Sequence, residues 1–352
     1  MNRCLPILGQ VAKRLRPMRG LDAAAVEVIE EHPAERRHTG AVLTLPEDRA
    51  LPTGADEGRS VAEEWQRVDG GAVTHQATIR YVLKDVLATP FGFFSGLDAF
   101  ARYGPIRYRD LLTARIERRE KGFFAAIPVA QRYFGHWVTD ALTTRLLRRP
   151  DEDLYLPVNP GWPHARQYVE LLGIDRVQAD FVQFDTLSYC RDIGQNTGRA
   201  ARLARLRAEV RAIAGDAGVA GVFLRRGRTG TDRVLLNEDA LADALAARGF
   251  AITDTSDDLR GIWAAAGNAP VTVSMEGSHW MNVFLASRED AVHVIVNPAD
   301  RFNNVAADYV NGTPGLMATT VAVKRDGGYV ADIDKVLRLI EMGMARQRET
   351  RA

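Results

Sequence analysis

Three groups of residues have the types and spacing to do chemistry. His136 and Asp140 stand four apart in the tract Gly135-His136-Trp137-Val138-Thr139-Asp140, which places both on one face of a helix. A carboxylate beside an imidazole suits a general base and the group that orients it, although a structural pair has the same spacing. Arg225 and Arg226 end the apolar run GVFL, with Arg228 and Arg233 in the loop beyond. Their forked donors match the oxygens of a diphosphate, and surface ion pairing is the competing reading. The third group is Glu276-Gly277-Ser278-His279-Trp280-Met281-Asn282, where the run PVTVSM turns into a helix. Gly277 and Ser278 let backbone approach a ligand, and the N–H groups of a helix start favour an anion. Glu276 is suited to accept a hydrogen bond from a ribose or sugar hydroxyl, and Ser278 would serve equally as a plain N-cap.

The elements that must hold these residues can be read from periodicity. His136, Trp137, Ala141, Leu142, Leu146 and Leu147 fall at helical spacings, and Pro150 closes the element. A short strand is expected at 41–45 and paired strands over 73–90, where polar and apolar residues alternate. Around 151–192 the chain has the strand–helix rhythm of a parallel sheet. Residues 199–213 form an Arg-studded helix, either a link between two halves or an amphipathic surface helix. Beyond Gly221 strands and helices alternate cleanly. GVFLRR, FAITDT, PVTVSM and AVHVIVN are strands, and Asn237 and Asp258 open the intervening helices. The chain is thus expected to divide into a loop-rich extension (1–70), an α/β domain (71–198), a doubly wound α/β domain (199–330) and a C-terminal helix (331–352).

Composition narrows the function classes. The 352 residues are 46% hydrophobic and 26% charged, an ordinary globular balance. Forty-six Lys and Arg against 45 Asp and Glu leave a net charge of +1, so no general field recruits nucleic acid. Two cysteines make no disulfide framework and point to a reducing compartment. The apolar run 123–130 falls far short of the ~20 residues of a membrane span. The expected location is therefore the cytoplasm. Arg3, Lys13, Arg14, Arg16 and Arg19 form a basic N-terminus that could touch an anionic membrane face peripherally. Neither G-x-G-x-x-G nor G-x-x-x-x-G-K-[ST] occurs, which disfavours nicotinamide and P-loop chemistry. No His or Cys spacing suggests a metal, and Asp151-Glu152-Asp153 reads as a polar turn. Neither a cofactor nor a metal is expected.

Five pieces in order, over roughly residues 75–325, resemble glycosyltransferase family 61, whose bacterial members belong to capsule and other polysaccharide gene sets. They are the FGHWVTDAL tract, the YVELLGI segment, the strand FLRRGR, the Asn237-Glu238 helix that ends ARGF, and EGSHWMN. The last is similar to the family turn His-Gly-Ala-Gly-Leu-Thr-Asn. Gly277 and Asn282 match it, whereas Glu276, Ser278 and His279 replace its His, Ala and second Gly.

The resemblance implies two Rossmann-like domains of the GT-B type and metal-independent, inverting transfer from a nucleotide sugar, with a UDP-sugar the first expectation. The donor would bind the C-terminal half and a glycan or lipid-linked glycan acceptor the N-terminal half. On this reading Asp140 is the preferred base, with His136 its partner or the base itself. Arg225 and Arg226 clamp the diphosphate, and Glu276, Gly277, Ser278, His279 and Asn282 line the nucleotide side. The alternative is a non-catalytic carbohydrate- or nucleotide-sugar-binding protein on the same fold.

Overall fold

The computed structural model describes residues 8–9, 17–56, 58–102, 108–227 and 233–351. The chain is a mixed α/β protein that divides into two compact units, one of residues 1–35 and 75–202, the other of residues 36–74 and 203–352. Residues 1–70, expected as one extension, are shared between them. The chain passes from the first unit to the second within the helix Thr197–Ala214. Of the basic N-terminal residues, Arg3, Lys13, Arg14 and Arg16 lie outside the described residues, and Arg19 pairs with Asp98 at 2.8 Å. Among the described residues no helix is long and apolar enough to cross a membrane.

The first unit is built on a seven-stranded sheet, and that sheet is mixed. Its order is Asp98–Phe100, Gly92–Ser95, Thr78–Thr89, Val182–Arg191, Glu117–Phe124 and Asp153–Tyr155, with Glu27–His32 also on Thr78–Thr89. The strand–helix rhythm implied a parallel sheet. Parallel pairing is confined to Glu117–Phe124 and its two neighbours. The others are antiparallel; among them Thr78–Thr89, Gly92–Ser95 and Asp98–Phe100 are joined by two-residue turns at 90–91 and 96–97 that fold the chain straight back. The carboxyl end of Glu117–Phe124 leads into the helical stretch that carries His136 and Asp140. Within the sheet Phe93, Phe124 and Tyr189 pack ring to ring.

The second unit holds a six-stranded sheet in the order Phe250–Asp254, Gly221–Arg225, Val271–Met275, Val292–Pro298, Leu316–Arg325 and Gly328–Val330. The first five run parallel and the last is antiparallel. Val271–Met275 and Val292–Pro298 are buried along their whole length. Covered on both faces, they bury even the polar Thr272, Ser274, His293 and Asn297 that alternate with their valines. Counted along the chain, the parallel strands stand in the order 2-1-3-4-5. The order therefore reverses between Gly221–Arg225 and Val271–Met275, and in open α/β sheets ligands bind outside the carboxyl ends at that point.

Residues 36–74 belong to this sheet's surroundings. The strand expected at 41–45 reduces to a single bridge from Leu43 to Ala318. Val61–Asp69 is a helix with a capping box between Ser60 and Glu63. Glu64, fully buried, accepts from the backbone N–H of Asn304 at 2.6 Å, and Trp65 lies on Phe302 with ring centroids 4.7 Å apart.

Candidate functional site

At the reversal point the chain leaves Gly221–Arg225 at Arg226, and this side chain is only 5% exposed. Its backbone N–H donates to Glu238 at 2.8 Å. Its guanidinium reaches the Glu276 carbonyl at 3.4 Å and His279 Nδ1 at 3.1 Å. Arg233 donates to the same carbonyl at 2.9 Å and pairs with the Glu276 carboxylate. Burial lowers the Arg226 pKa to about 10, and neighbouring Arg233 adds to the effect. The Glu276 and Glu238 carboxylates oppose that shift.

The turn itself explains the glycine. Gly277 has φ +148, and a β-carbon there would lie 2.3 Å from the Arg226 guanidinium. A side chain would be strained in that backbone region and would press on the cation. The Ser278–Trp280 helical turn starts with Gly277 at its cap and no side-chain cap bond, so Ser278 is not an N-cap. Because a guanidinium only donates, His279 Nδ1 is the acceptor and the proton sits on Nε2. Burial and the two arginines hold the His279 pKa well below the ordinary imidazole value, so the ring is neutral. Its Nε2 is enclosed, with no hydrogen-bond partner among the described residues. Burial pushes the Glu276 carboxyl up, with Arg233, Arg301 and Arg226 opposing. Asn282 is fully buried on the helix Met281–Ala286.

In the first unit the expected His136–Asp140 pair forms, with Nδ1 2.8 Å from Oδ2. The helix is irregular there. Trp137–Ala141 is a π-helical turn between α-helical pieces, a distortion frequent at functional sites. Asp140 is 3% exposed, accepts from Thr139 at 3.1 Å and pairs with buried Arg199, which arrives from the Thr197–Ala214 helix. Burial would raise its pKa, but Arg199, His136 and Thr139 together hold it below the usual carboxylate value. His136, by contrast, keeps 28% of its side chain exposed, beside the 37%-exposed Tyr133.

Residues 134–294 match the family model described as Glycosyltransferase 61. This stretch is a glycosyltransferase 61 domain. The match opens two residues before His136 and closes within Val292–Pro298, so it takes in both groups of residues above. A comparison with curated proteins finds no match.

Within this glycosyltransferase the residues singled out from the sequence meet different fates. Arg226, Glu276, Gly277 and His279 come together, joined by Arg233. Arg225 turns to the following helix, pairing with Asp239 and lying 3.7 Å from Glu238. Arg228 lies outside the described residues. Asp151, Glu152 and Asp153 are engaged by Lys121, Arg80 and Arg119, which fits a turn better than a metal-holding triplet. Asn237 does not cap its helix. Its amide bonds both backbone groups at Ala331 instead. Sequence reasoning missed Arg199 outright, 59 residues from its partner, and no local signal could have found it. An open cavity of about 990 Å³ is lined by Asp110, Ile116 and Phe181. It sits at the amino ends of the first unit's parallel strands, whereas the dyad follows a carboxyl end.

Proposed function

We propose that this glycosyltransferase moves a sugar, with inversion and without a metal ion, from a nucleotide diphosphate sugar to a hydroxyl of a glycan or lipid-linked glycan. A UDP-sugar is the first donor to test, and assembly of a capsule or related polysaccharide is the proposed setting. The observation that carries this reading is the buried Arg226 guanidinium against Gly277 and His279 at the reversal point of the parallel sheet. A diphosphate suits the Arg226 guanidinium, and the His279 Nε2–H and the turn's N–H groups suit an anion.

On this reading the second unit is the Rossmann-like donor domain and the first its acceptor-side counterpart in a GT-B pair. The reaction is a direct displacement. The acceptor hydroxyl gives its proton to a base, its oxygen bonds the anomeric carbon, and the bond to the diphosphate breaks with the electron pair leaving on phosphate. Guanidiniums then stabilise the departing charge. We assign the base to His136 through Nε2, with Asp140 holding Nδ1–H, because a buried carboxylate of lowered pKa already bound by Arg199 is a weak proton acceptor. The proposed location is cytoplasmic, with the basic N-terminus as a peripheral membrane contact.

Calorimetric titration of nucleoside diphosphates into wild-type and Arg226→Gln protein tests the donor site. Loss of a charge-assisted contact at about 1.5–3 kcal/mol should weaken binding roughly 10–150-fold. Equal affinities would remove Arg226 from the site. Turnover that disappears in EDTA and returns with Mn²⁺ would overturn metal independence.

A further inference from the structure

A third arginine reaches the Glu276 turn from a strand end that the linear reading left unassigned. After Val292–Pro298 the chain turns at once, with the Arg301 N–H donating to the Pro298 carbonyl at 3.2 Å. Residues 53–56 are laced onto this turn. The N–H groups of Thr53 and Gly54 donate to the Ala299 carbonyl at 2.6 and 3.2 Å, and the Phe302 N–H donates back to the Gly54 carbonyl at 2.9 Å. The fit is close enough that a β-carbon on Gly54 would lie 2.6 Å from the Asp300 carbonyl oxygen. The backbone under Arg301 is thus fixed by a segment 246 residues distant in sequence.

The side chain is fixed as well. Its Nη2 pairs with Asp56 at 2.6 Å, and the other Asp56 oxygen accepts from the Asn303 amide at 3.2 Å. That carboxylate is therefore occupied in holding the guanidinium. A guanidinium carries five N–H donors, and Asp56 takes only part of this set. The Arg301 Nε has no hydrogen-bond partner among the described residues, and 31% of the side chain is exposed. Arg226 and Arg233, by contrast, are 5% and 8% exposed and donate to the Glu276 carbonyl. Of the three arginines whose charge acts on Glu276, Arg301 is the most accessible.

Its position complements that of Arg226. One arginine follows Gly221–Arg225 and the other follows Val292–Pro298, with Val271–Met275 between those strands. Neighbouring strands stand about 4.8 Å apart, so the two strand ends are roughly 10 Å apart, within the combined reach of two arginine side chains. The two charges feel each other, since Arg301 adds to the lowering of the Arg226 pKa. Arg226, His279 and the N–H groups of the turn offer a place for one phosphate, and a guanidinium two strands away offers a place for a second. The stretch matching the family model ends at residue 294, so Arg301 lies beyond it.

We propose that Arg301 is a specificity-determining residue of the donor site, its guanidinium donating to the second phosphate of a nucleoside diphosphate and so selecting diphosphate over monophosphate donors. The assignment rests on the donor-site reading above. Asp56 is then the positioning residue that presents the guanidinium.

Calorimetry is run on the full chain with UDP, UMP, GDP and GMP, comparing wild type, Arg301→Gln and Arg226→Gln. Wild type should bind one of the diphosphates more tightly than its monophosphate. In Arg301→Gln that diphosphate should lose about tenfold, the lower end for a charge-assisted contact, while the monophosphate stays within about twofold. Should Arg301→Gln fail to fold, Arg301→Lys keeps the charge and loses the fork, and a loss of a few fold confined to the diphosphate is expected. Unchanged diphosphate affinity overturns the role of Arg301 and makes it an anchor for residues 53–56. A simultaneous loss in Arg226→Gln then leaves the donor-site reading standing. Equal losses for diphosphate and monophosphate also overturn the proposal, as does a wild type without preference for the diphosphate. A folded wild type that binds none of the four overturns the donor-site reading itself.

Discussion

The two groups of candidate residues handle buried charge in opposite ways. In the first unit, Asp140 is matched by Arg199 at one oxygen and His136 at the other, and its pKa falls. In the second, Arg226 is buried next to Arg233, so its pKa falls to about 10 even with Glu276 and Glu238 nearby. For an acid a lowered pKa means that the charge is stabilised; for a base it means that the charge is not. The first arrangement suits holding an imidazole in one orientation. The second suits receiving an anion. A group that must bind and release an anion gains from being a desolvated cation, whereas a positioning carboxylate gains from being saturated.

The sharpest break of that comparison is at His136. His136→Ala should lower turnover by about 10²–10⁴-fold, the usual worth of a general base, while nucleoside diphosphate affinity measured by calorimetry stays at the wild-type value. Wild-type turnover in the variant would make the dyad structural.

A second test concerns saturation. Arg199→Met leaves the Asp140 carboxylate buried without its principal cation, and urea denaturation should show a loss of about 3–5 kcal/mol. The pH dependence has a definite sign. Asp140 has a folded pKa below its unfolded value, so its contribution is full above about pH 4, the ordinary carboxylate range. That contribution is lost as pH falls through the lowered folded value. The variant should lack this part of the acid limb. A loss that persists unchanged at pH 3 would place the effect elsewhere.

The smallest effect is expected at Arg225. Its partner Asp239 is 86% exposed, and exposed pairs contribute about 0–1 kcal/mol. Arg225→Ala should leave nucleotide affinity within about twofold and shift the thermal midpoint only slightly. A tenfold loss of affinity would mean that Arg225 abandons Asp239 for the ligand.

The contrast between Arg225 and Arg226 shows where sequence reading stops. Both arginines stand at the correct strand end, and the strand, its neighbours and the Glu276 turn were all legible. The two side chains part, however: Arg225 pairs with Asp239 and Arg226 meets the Glu276 turn. Which of the two faces the Glu276 turn depends on where Val271–Met275 and the Glu238–Ala246 helix pack. Asn237 makes the same point: its type and position predict a cap, and the Ala331 backbone 94 residues away claims its amide.

What the sequence by itself determined was local. Short valine-rich and apolar-rich runs marked the buried parallel strands, helical spacing put His136 and Asp140 on one face, and Gly277 marked a close backbone approach. These follow from periods and volumes that a few neighbouring residues settle. Tertiary structure decided which charges meet. It brought Arg199 to Asp140, Arg233 to Glu276 and Asp56 to Asn303, and it drew residues 36–74 into the second unit. It also made the first unit's sheet mixed, since hairpin strands and crossover strands share the same side-chain alternation. The physical reason is that an ion pair or a strand pairing depends on distance in space, and chains of 43 to 247 residues separate these partners.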